Sequence, residues 1–458
     1  MKHTGHYDFF LNVLLFVPFG FGLSAQLRKR GGSRRAALLL ALAAGAVTSY
    51  VVEFLQLYIE TRNSGWDDVI SNTTGAVAGF FLFDQWGGAV FQHLSGWEER
   101  VETYLSLRLT CIFLLVYLGF FFTLSIPLQE QTRLSNWDTT SVMFVGSGGT
   151  GQYAWRGQIS RLQIWNRAIP EESARKLTAG EPAPGTETGL LASYEFTGPP
   201  PYEDQKKFLP ALAWVSSPPP AHASKPLDLD GSSWLSSVIP VAGLAQELKK
   251  TNQFAVRAVC TPADVADPEQ LIVSISNGSG IRNLTLRRDG AHLVVWFRNP
   301  LSVYRPLLSW YIPGVFATRQ VRDILVSYDG SDVSLYVDGR KQAEVYYLSP
   351  GAALGRKFVR LLSSWLDGYL VAYDTLIFVP AGLLLGVIAR KPAAQKFIGR
   401  FLLLLGLFLP PVLFEFILVW VSGRAISAWQ VSLCFFLTLL GVWLMNADRH
   451  DGSLLRTS

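Results

Sequence analysis

The pentapeptide Phe16-Val17-Pro18-Phe19-Gly20 returns near the other end of the chain as Phe378-Val379-Pro380-Ala381-Gly382. The offset of 362 residues that carries Pro18 to Pro380 also carries Arg28-Lys29 to Arg390-Lys391, Glu53-Phe54 to Glu415-Phe416, Arg62 to Arg424, Val69 to Val431 and Gly79 to Gly441, without a gap. Chance matches would be mostly apolar, whereas these include Pro, Glu, Arg and Gly in one register. The pattern predicts a duplicated unit of three helices in an α-helical membrane bundle.

Working outward, the chain has 458 residues, 49% hydrophobic and only 16% charged. That balance predicts a membrane protein, while 24 Pro and 40 Gly predict a loop-rich part outside the bilayer. A span needs about 20 apolar residues. Such runs lie near 9–27, 36–59, 66–84, 107–127, 368–389, 398–421 and 425–446, which predicts about seven transmembrane helices. Between 127 and 368 no run qualifies. The loop RKRGGSRR (28–35) has five basic residues and no acid, and ARKPAAQKFIGR (389–400) has four and none. Both are expected in the cytoplasm. Seven spans then put the N-terminus and the large middle segment outside and the tail, 447–458, inside. Each copy of the repeat runs out–in–out–in, which implies a symmetry axis along the membrane normal. Trp86, Phe91, Leu94, Trp97, Val101 and Tyr104 recur at helical spacing, as in an interfacial helix or a plain connector. Cys111, Cys260 and Cys434 are far apart and predict no disulfide framework. The first apolar run ends in basic residues rather than a cleavage site, so no cleavable signal is expected. The formal charge of +5 is modest and clusters in topology-setting loops, which argues against nucleic acid as a partner.

Polar residues inside spans are expensive, and here they are gathered. Asp8 and Asn12 sit one turn apart at the outer end of the first span. Glu53 and Gln56 share a face in the last turns of the second. Arg62 lies in the outer turn, and Asp68 and Asn72 open the third span. The first copy thus places all of them near the outer face, where Arg62 can neutralise Glu53 or Asp68 and the amides can satisfy the remainder. Gly75-x-x-x-Gly79 permits close helix approach, and Pro18 is expected to kink the first helix. Three readings stay open: polar glue between helices, a site that grips a polar head group from the outer leaflet, or ordinary loop residues. The second copy keeps Glu415 and Arg424 and has Asp374 in place of Asn12, but Leu418, Gln430 and Cys434 replace Gln56, Asp68 and Asn72. The expectation is that any activity resides in the first copy and that the second is mainly scaffold.

As a set, Asp8-x-x-x-Asn12, Phe16-Val17-Pro18-x-Gly20, Glu53-x-x-Gln56, Arg62 and Asp68-x-x-x-Asn72-x-x-Gly75-x-x-x-Gly79 resemble the VanZ-like family of bacterial membrane proteins. The resemblance covers 8–84, and a degenerate second unit covers 368–446. Family members usually carry a further span before the Asp/Asn helix. The span at 107–127 fills that place for the second copy, and the first copy lacks one. On this resemblance residues 1–127 form the first unit plus a fourth span. It implies a multi-pass protein of the bacterial inner membrane, linked to glycopeptide antibiotic susceptibility. No catalytic residue carries over.

Residues 130–366 read as an extracytoplasmic all-β segment. NLTLRRDGAHLVVWF (283–297) and ILVSYDGSDVSLYVDG (324–339) alternate about Asp-Gly turns, and FAVRAVC (254–260), LIVSIS (271–276) and ISRLQIW (159–165) add strands. Short strands with prolines between them predict a sandwich. LLASYEF (190–196), LDLDGSSW (227–234) and the late hairpin resemble a laminin-G-like, concanavalin A-like lectin domain of jelly-roll type. Residues 143–177 resemble the closing strand and short helix of that family, placed before its opening strand, as in a circular permutation. Trp155, Trp234 and Trp310, with Trp165 and Trp296, are candidates for stacking on a glycan, against the alternative of core tryptophans. Asp228 and Asp230 are oxygen ligands of the kind calcium takes, though paired acids are usually surface loop residues.

Enzyme motifs are thin. No HExxH, CxxC or Walker loop is present, and GSGGTG (146–151) lacks the lysine of a phosphate loop. The expectation is therefore an envelope membrane protein without catalytic residues, metal or cofactor, whose lectin-like insert takes a glycan or envelope polymer. Its helical unit would take a peptidoglycan precursor or other lipid-linked ligand. A membrane enzyme using Glu53, Asp68 and Arg62 on a lipid-linked head group is the rival, and a protein-interaction scaffold the third reading.

Overall fold

The computed structural model describes residues 6–29, 31–56, 69–87, 106–198, 201–215, 227–264, 269–278, 280–302, 309–342, 346–358, 366–392 and 397–452. The chain divides into two compact units, Met1–Arg108 and Leu109–Ser458. The expected interfacial helix at 85–106 falls largely outside the described residues.

In the first unit, α1 (His6–Lys29) and α2 (Arg34–Gln56) are joined by a turn through Gly31, whose φ of 81° suits glycine. The third helix, α3, covers 69–87. It packs on α1 where side chains are small. A Cβ on Gly79 would lie 2.1 Å from the Val17 carbonyl oxygen, and one on Gly20 would lie 1.8 Å from that of Ala76. Ala37, Ala41 and Phe80 make a small buried cluster with Leu27. Arg34 pairs with Asp84 at 2.8 Å, tying the start of α2 to the end of α3.

The second unit begins with α4 (Leu107–Glu130) and ends with α8 (Leu366–Ala389), α9 (Phe397–Ser422) and α10 (Ala428–Gly452). Among the described residues four stretches are long and apolar enough to cross a membrane: Leu107–Asn136, Gly368–Ala389, Gly399–Ser422 and Ala428–Asn446. Their outward side chains include Leu115, Phe401, Trp420, Phe436 and Trp443, all exposed, as lipid-facing residues should be. α8 and α10 cross at Gly382 and Gly441, whose Cα atoms leave no room for a side chain: a Cβ on Gly441 would stand 2.2 Å from the Val379 carbonyl oxygen, and one on Gly382 2.1 Å from that of Thr438. The offset of 362 relates these contacts to those of Gly79 with Val17 and Gly20 with Ala76.

Among the described residues between α4 and α8 lie two antiparallel sheets, a single 3-10 turn (Leu134–Asn136) and three short α-helices, α5 (Glu171–Thr178), α6 (Ala242–Thr251) and α7 (Pro350–Phe358). One sheet contains β1 (Val142–Val145), β4 (Ala213–Trp214), β6 (Leu235–Ser236), β8 (Gln270–Ser276), β9 (Arg282–Asp289), β10 (His292–Phe297) and β11 (Trp310–Ile312), in the order β11-β10-β9-β8-β1-β6-β4. The other has β2 (Arg156–Trp165), β3 (Leu190–Glu195), β7 (Phe254–Pro262), β12 (Arg322–Tyr328), β13 (Asp332–Val337) and β14 (Arg340–Lys341), in the order β14-β13-β12-β7-β2-β3. There β5 (Leu227–Asp230) pairs with β2, and β15 (Tyr346–Tyr347) with β13. Phe297 packs on Phe254 and Tyr328 of the opposite sheet, with ring centres 5.3 and 4.9 Å apart. The Asp-Gly turns fall where expected: Gly290 has φ 58° in the β9–β10 hairpin, and Asp329 accepts the N–H groups of Ser331 and Asp332 between β12 and β13. α5 covers one face of the second sheet through Trp165, Ile169, Ala174, Ala255, Leu325 and Tyr336.

One end of this β domain faces the membrane helices. Just after α4, the Thr132 carbonyl accepts the Tyr328 hydroxyl, and Leu301 N–H donates to Gln131. Trp137 donates its ring N–H to Arg298. We call this end the base.

Candidate functional site

At the base the last carbonyls of α9, which a helix leaves unpaired, are clasped by the β domain. Arg133 donates to Val421 at 2.7 Å, Asn252 Nδ2 to Ser422 at 2.6 Å and Gln253 Nε2 to Gly423 at 2.7 Å. Asn252 holds the left-handed position after α6, φ 58°, and its Oδ1 accepts from Leu134 N–H at 2.9 Å. Gly330 stands against Ser422, where a Cβ would come within 2.6 Å of its carbonyl oxygen.

Directly beyond the clasp is a buried polar network. Arg424 donates to Glu415 Oε2 at 2.7 Å and to Gln430 Oε1 at 2.9 Å, and its other terminal nitrogen bonds Ala425 O at 3.2 Å. Glu415 Oε1 accepts Ser427 N–H at 2.6 Å. Gln430 Nε2 reaches Asp374 Oδ2 at 3.5 Å, and the Cys434 thiol lies 3.7 Å from the same oxygen. α8 contributes Asp374, α9 Glu415, and α10 Gln430 and Cys434. The five side chains are buried, with Asp374 at 1% and Arg424 at 7% exposure. The charges of Glu415 and Arg424 are spent on each other, so this network fastens helices together and leaves no group turned to solvent. The clasp through Arg133, Asn252 and Gln253 was not anticipated from the sequence. Its one legible signal is an Asn after the Leu244, Ala245, Leu248 pattern of α6.

Among the residues singled out in the first copy, Asn72 is buried on α3 and donates to Ser49 Oγ of α2 at 2.9 Å. Its Oδ1 has no hydrogen-bond partner among the described residues. Asp8 and Asn12 belong to α1 and Glu53 and Gln56 to α2, but their side chains lie outside the described residues, as do Arg62 and Asp68 entirely.

The β domain corrects part of the glycan expectation. Trp155 and Trp165 are 0% and 1% exposed and Trp310 is 2%. Trp155 packs edge-on to Phe316 between the sheets, Trp165 packs under α5 and Trp310 lies against Tyr346 in a narrow cleft with Phe297. None of the three presents a ring face to a sugar, because each packs in the core. Trp234 and Trp296 are half-buried, and Trp234 lies against Gly151 of the glycine-rich loop. Asp228 is exposed, while Asp230 accepts Ser232 N–H and Oγ–H at 2.8 and 2.7 Å, which holds its carboxyl below the ordinary range. No group of three or more His, Cys, Asp or Glu side chains is placed to hold a metal among the described residues.

Residues 1–87 match the family model described as VanZ/LLP1. No curated protein and no solved structure matches the chain. The first 87 residues are thus similar to the VanZ/LLP1 family, and the described residues of the rest of the chain carry four stretches long and apolar enough to cross a membrane, with a domain of two antiparallel sheets between the first and second of them.

Proposed function

We propose that the protein is a non-enzymatic, seven-span envelope protein of the bacterial inner membrane, built on a duplicated VanZ-like unit. Its inserted β domain is a permuted lectin-like module on the outer side. In this reading the first unit holds a polar head group at the outer leaflet through Asp8, Asn12, Glu53, Gln56, Arg62, Asp68 and Asn72, and the β domain separately takes a glycan or envelope polymer beside Trp234. The observation that carries the reading is the closed network of the second unit, where Arg424, Glu415 and Gln430 satisfy one another. The offset of 362 maps this network onto Arg62, Glu53 and Asp68. In sequence, the first copy has Asp68 where the second has Gln430, a second carboxylate for one arginine, and Gln56 where the second has Leu418, an added amide. These extra polar groups exceed what fastening requires. The paired crossings at Gly79 and Gly441 support the duplication.

The test is binding of a lipid-linked peptidoglycan precursor to the full-length protein in lipid nanodiscs. Saturable binding that weakens at least about tenfold in Asp68→Asn and Arg62→Gln, and not in Gln430→Leu, is the expected result. Equal binding by all four proteins, or none, would remove the head-group site. Cysteine labelling from each side of sealed vesicles checks the sidedness: Arg28→Cys is expected to react from the inside and Ser232→Cys from the outside.

A further inference from the structure

Strand register identifies which loops share the base of the β domain. Phe297 pairs with Leu284, Arg282 with Ser276, Ser276 with Val142, and Phe144 with Ser236. Arg298 and Thr132 already lie at that end, so the turn after Ser236 and the turn between Ser276 and Arg282 lie there too.

The first of these turns is unusual. Val238 has φ 60°, a conformation that a β-branched residue adopts only under constraint. The constraint comes from its neighbours. Ser237 is bonded both ways to Met143, and its Oγ donates to Ile239 O at 2.7 Å. Val238 N–H donates to Ser236 Oγ at 3.1 Å, and Val241 N–H to Ser141. The scaffold thus fixes a tight turn whose side chains point away from the domain. Val238 is 67% exposed, Ile239 57%, and Pro240 is exposed beside them. Ile281, in the neighbouring base turn, is 39% exposed. Exposed basic groups lie at the same end: Arg282 beside Ile281, and Lys250 in the last turn of α6, two residues before Asn252 of the base and 3.8 Å from Glu247.

An exposed Val-Ile-Pro tip held in a strained backbone would be a liability in water. The turn lies at the end of the domain where α4 and α9, both long and apolar enough to cross a membrane, terminate. We infer that the Val238–Pro240 turn, with Ile281, is a lipid-inserting footing. It seats the base of the β domain on the bilayer, with Arg282 and Lys250 meeting anionic head groups. The inference needs only that α4 and α8–α10 span the membrane. It does not depend on what the protein binds.

The test uses the full-length protein with Cys111→Ser, since Cys260 and Cys434 are buried. Val238→Cys and, as a reference at the far end of the domain, His292→Cys carry an environment-sensitive fluorophore. The protein is reconstituted in phosphatidylcholine–phosphatidylglycerol vesicles with and without lipid bearing a quencher at the head-group/acyl boundary. Quenching at 238 at least roughly threefold that at 292 is expected. Ile281→Cys gives an independent reading if Val238→Cys fails to fold, and the same excess is expected there. Equal quenching at the turn and at 292 would overturn the footing. So would disulfide cross-linking between copies through Val238→Cys without lipid quenching, which would assign the turn to a second copy.

Discussion

Arg424 and Glu415 are both nearly inaccessible, and this decides what either can lose. Removing one leaves the other charged and unpaired in a low-dielectric setting, whereas removing both leaves two neutral groups. Arg424→Gln and Glu415→Gln are each expected to destabilise the second unit by about 3–5 kcal/mol. The double variant should cost clearly less than the sum of the two. Thermal unfolding of the three variants in nanodiscs, followed by tryptophan fluorescence, supplies the measurement. Strictly additive losses would mean that the 2.7 Å pair makes no coupled contribution. This pair was legible in the sequence because a Glu and an Arg recur at the same offset as Pro18 and Gly20. Its closure by the Ser427 N–H and by Gln430 was not, since a backbone donor has no sequence signature. The tryptophans show the same limit. Residue type placed Trp155 and Trp310 among possible stacking surfaces, but which side of a strand or loop faces the opposite sheet is set by packing.

At the scale of elements, two helix pairs depend on missing side chains. Gly79 and Gly441 each face a carbonyl oxygen at a distance no Cβ tolerates, 2.1 and 2.2 Å. Gly79→Ala and Gly441→Ala should each lower stability by about 2–4 kcal/mol, since backbone must move to admit the methyl group. Gly119 of α4 meets nothing within 4 Å, so Gly119→Ala should be neutral or stabilising by up to about 1 kcal/mol. Melting temperatures of the three variants in one detergent rank them, and a loss at Gly119 as large as at Gly441 would reject the crossing argument. The clasp is a second element-level device. Asn252→Ala removes bonds to Ser422 and Leu134 and puts a Cβ-bearing residue without a polar side chain at φ 58°, while Asn252→Gly keeps the backbone and loses the bonds. Both should loosen the base, alanine by about 1 kcal/mol more than glycine. Limited proteolysis around Asn252 reads this directly. The long helices and the β9–β10 and β12–β13 hairpins were legible because apolar run length and Asp-Gly punctuation are local signals. The two- to four-residue strands β1, β4, β6, β11, β14 and β15 were not read as separate strands, since their pairing is decided by distant neighbours. Nor was α6, although its apolar spacing is helical.

At the scale of the whole second unit, the junction between β domain and membrane helices carries an electrostatic load that depends on pH. Asp332 opens β13 at the base. Burial first and the neighbouring Asp329 second push its carboxyl up, Arg424 and a bond from Ser331 pull it back only in part, and together they leave it at about 7. In an unfolded chain the same group titrates near 4. Between those values the unfolded chain is ionised while the folded junction still holds its proton. Stability is therefore fully retained below about 4 and is lost as pH rises through about 7. Asp323, at the opposite end of the β12–β13 hairpin, is also raised by burial despite its bond to Arg257, and it acts in the same direction. Asp138 is lowered by its bonds to Thr140 and Ser141, and so it acts only at the acid end. The melting temperature of the full-length protein should accordingly rise between pH 8 and pH 5.5. Asp332→Asn should remove a large part of that rise, up to a few kcal/mol at pH 8. The difference between wild type and Asp332→Asn isolates this one group from Asp323 and from titrations in the first unit. A wild-type profile that is flat over this range, or one unchanged by Asp332→Asn, would mean that water or Arg424 compensates the charge. The junction would then offer no pH-dependent weakening of the clasp on α9.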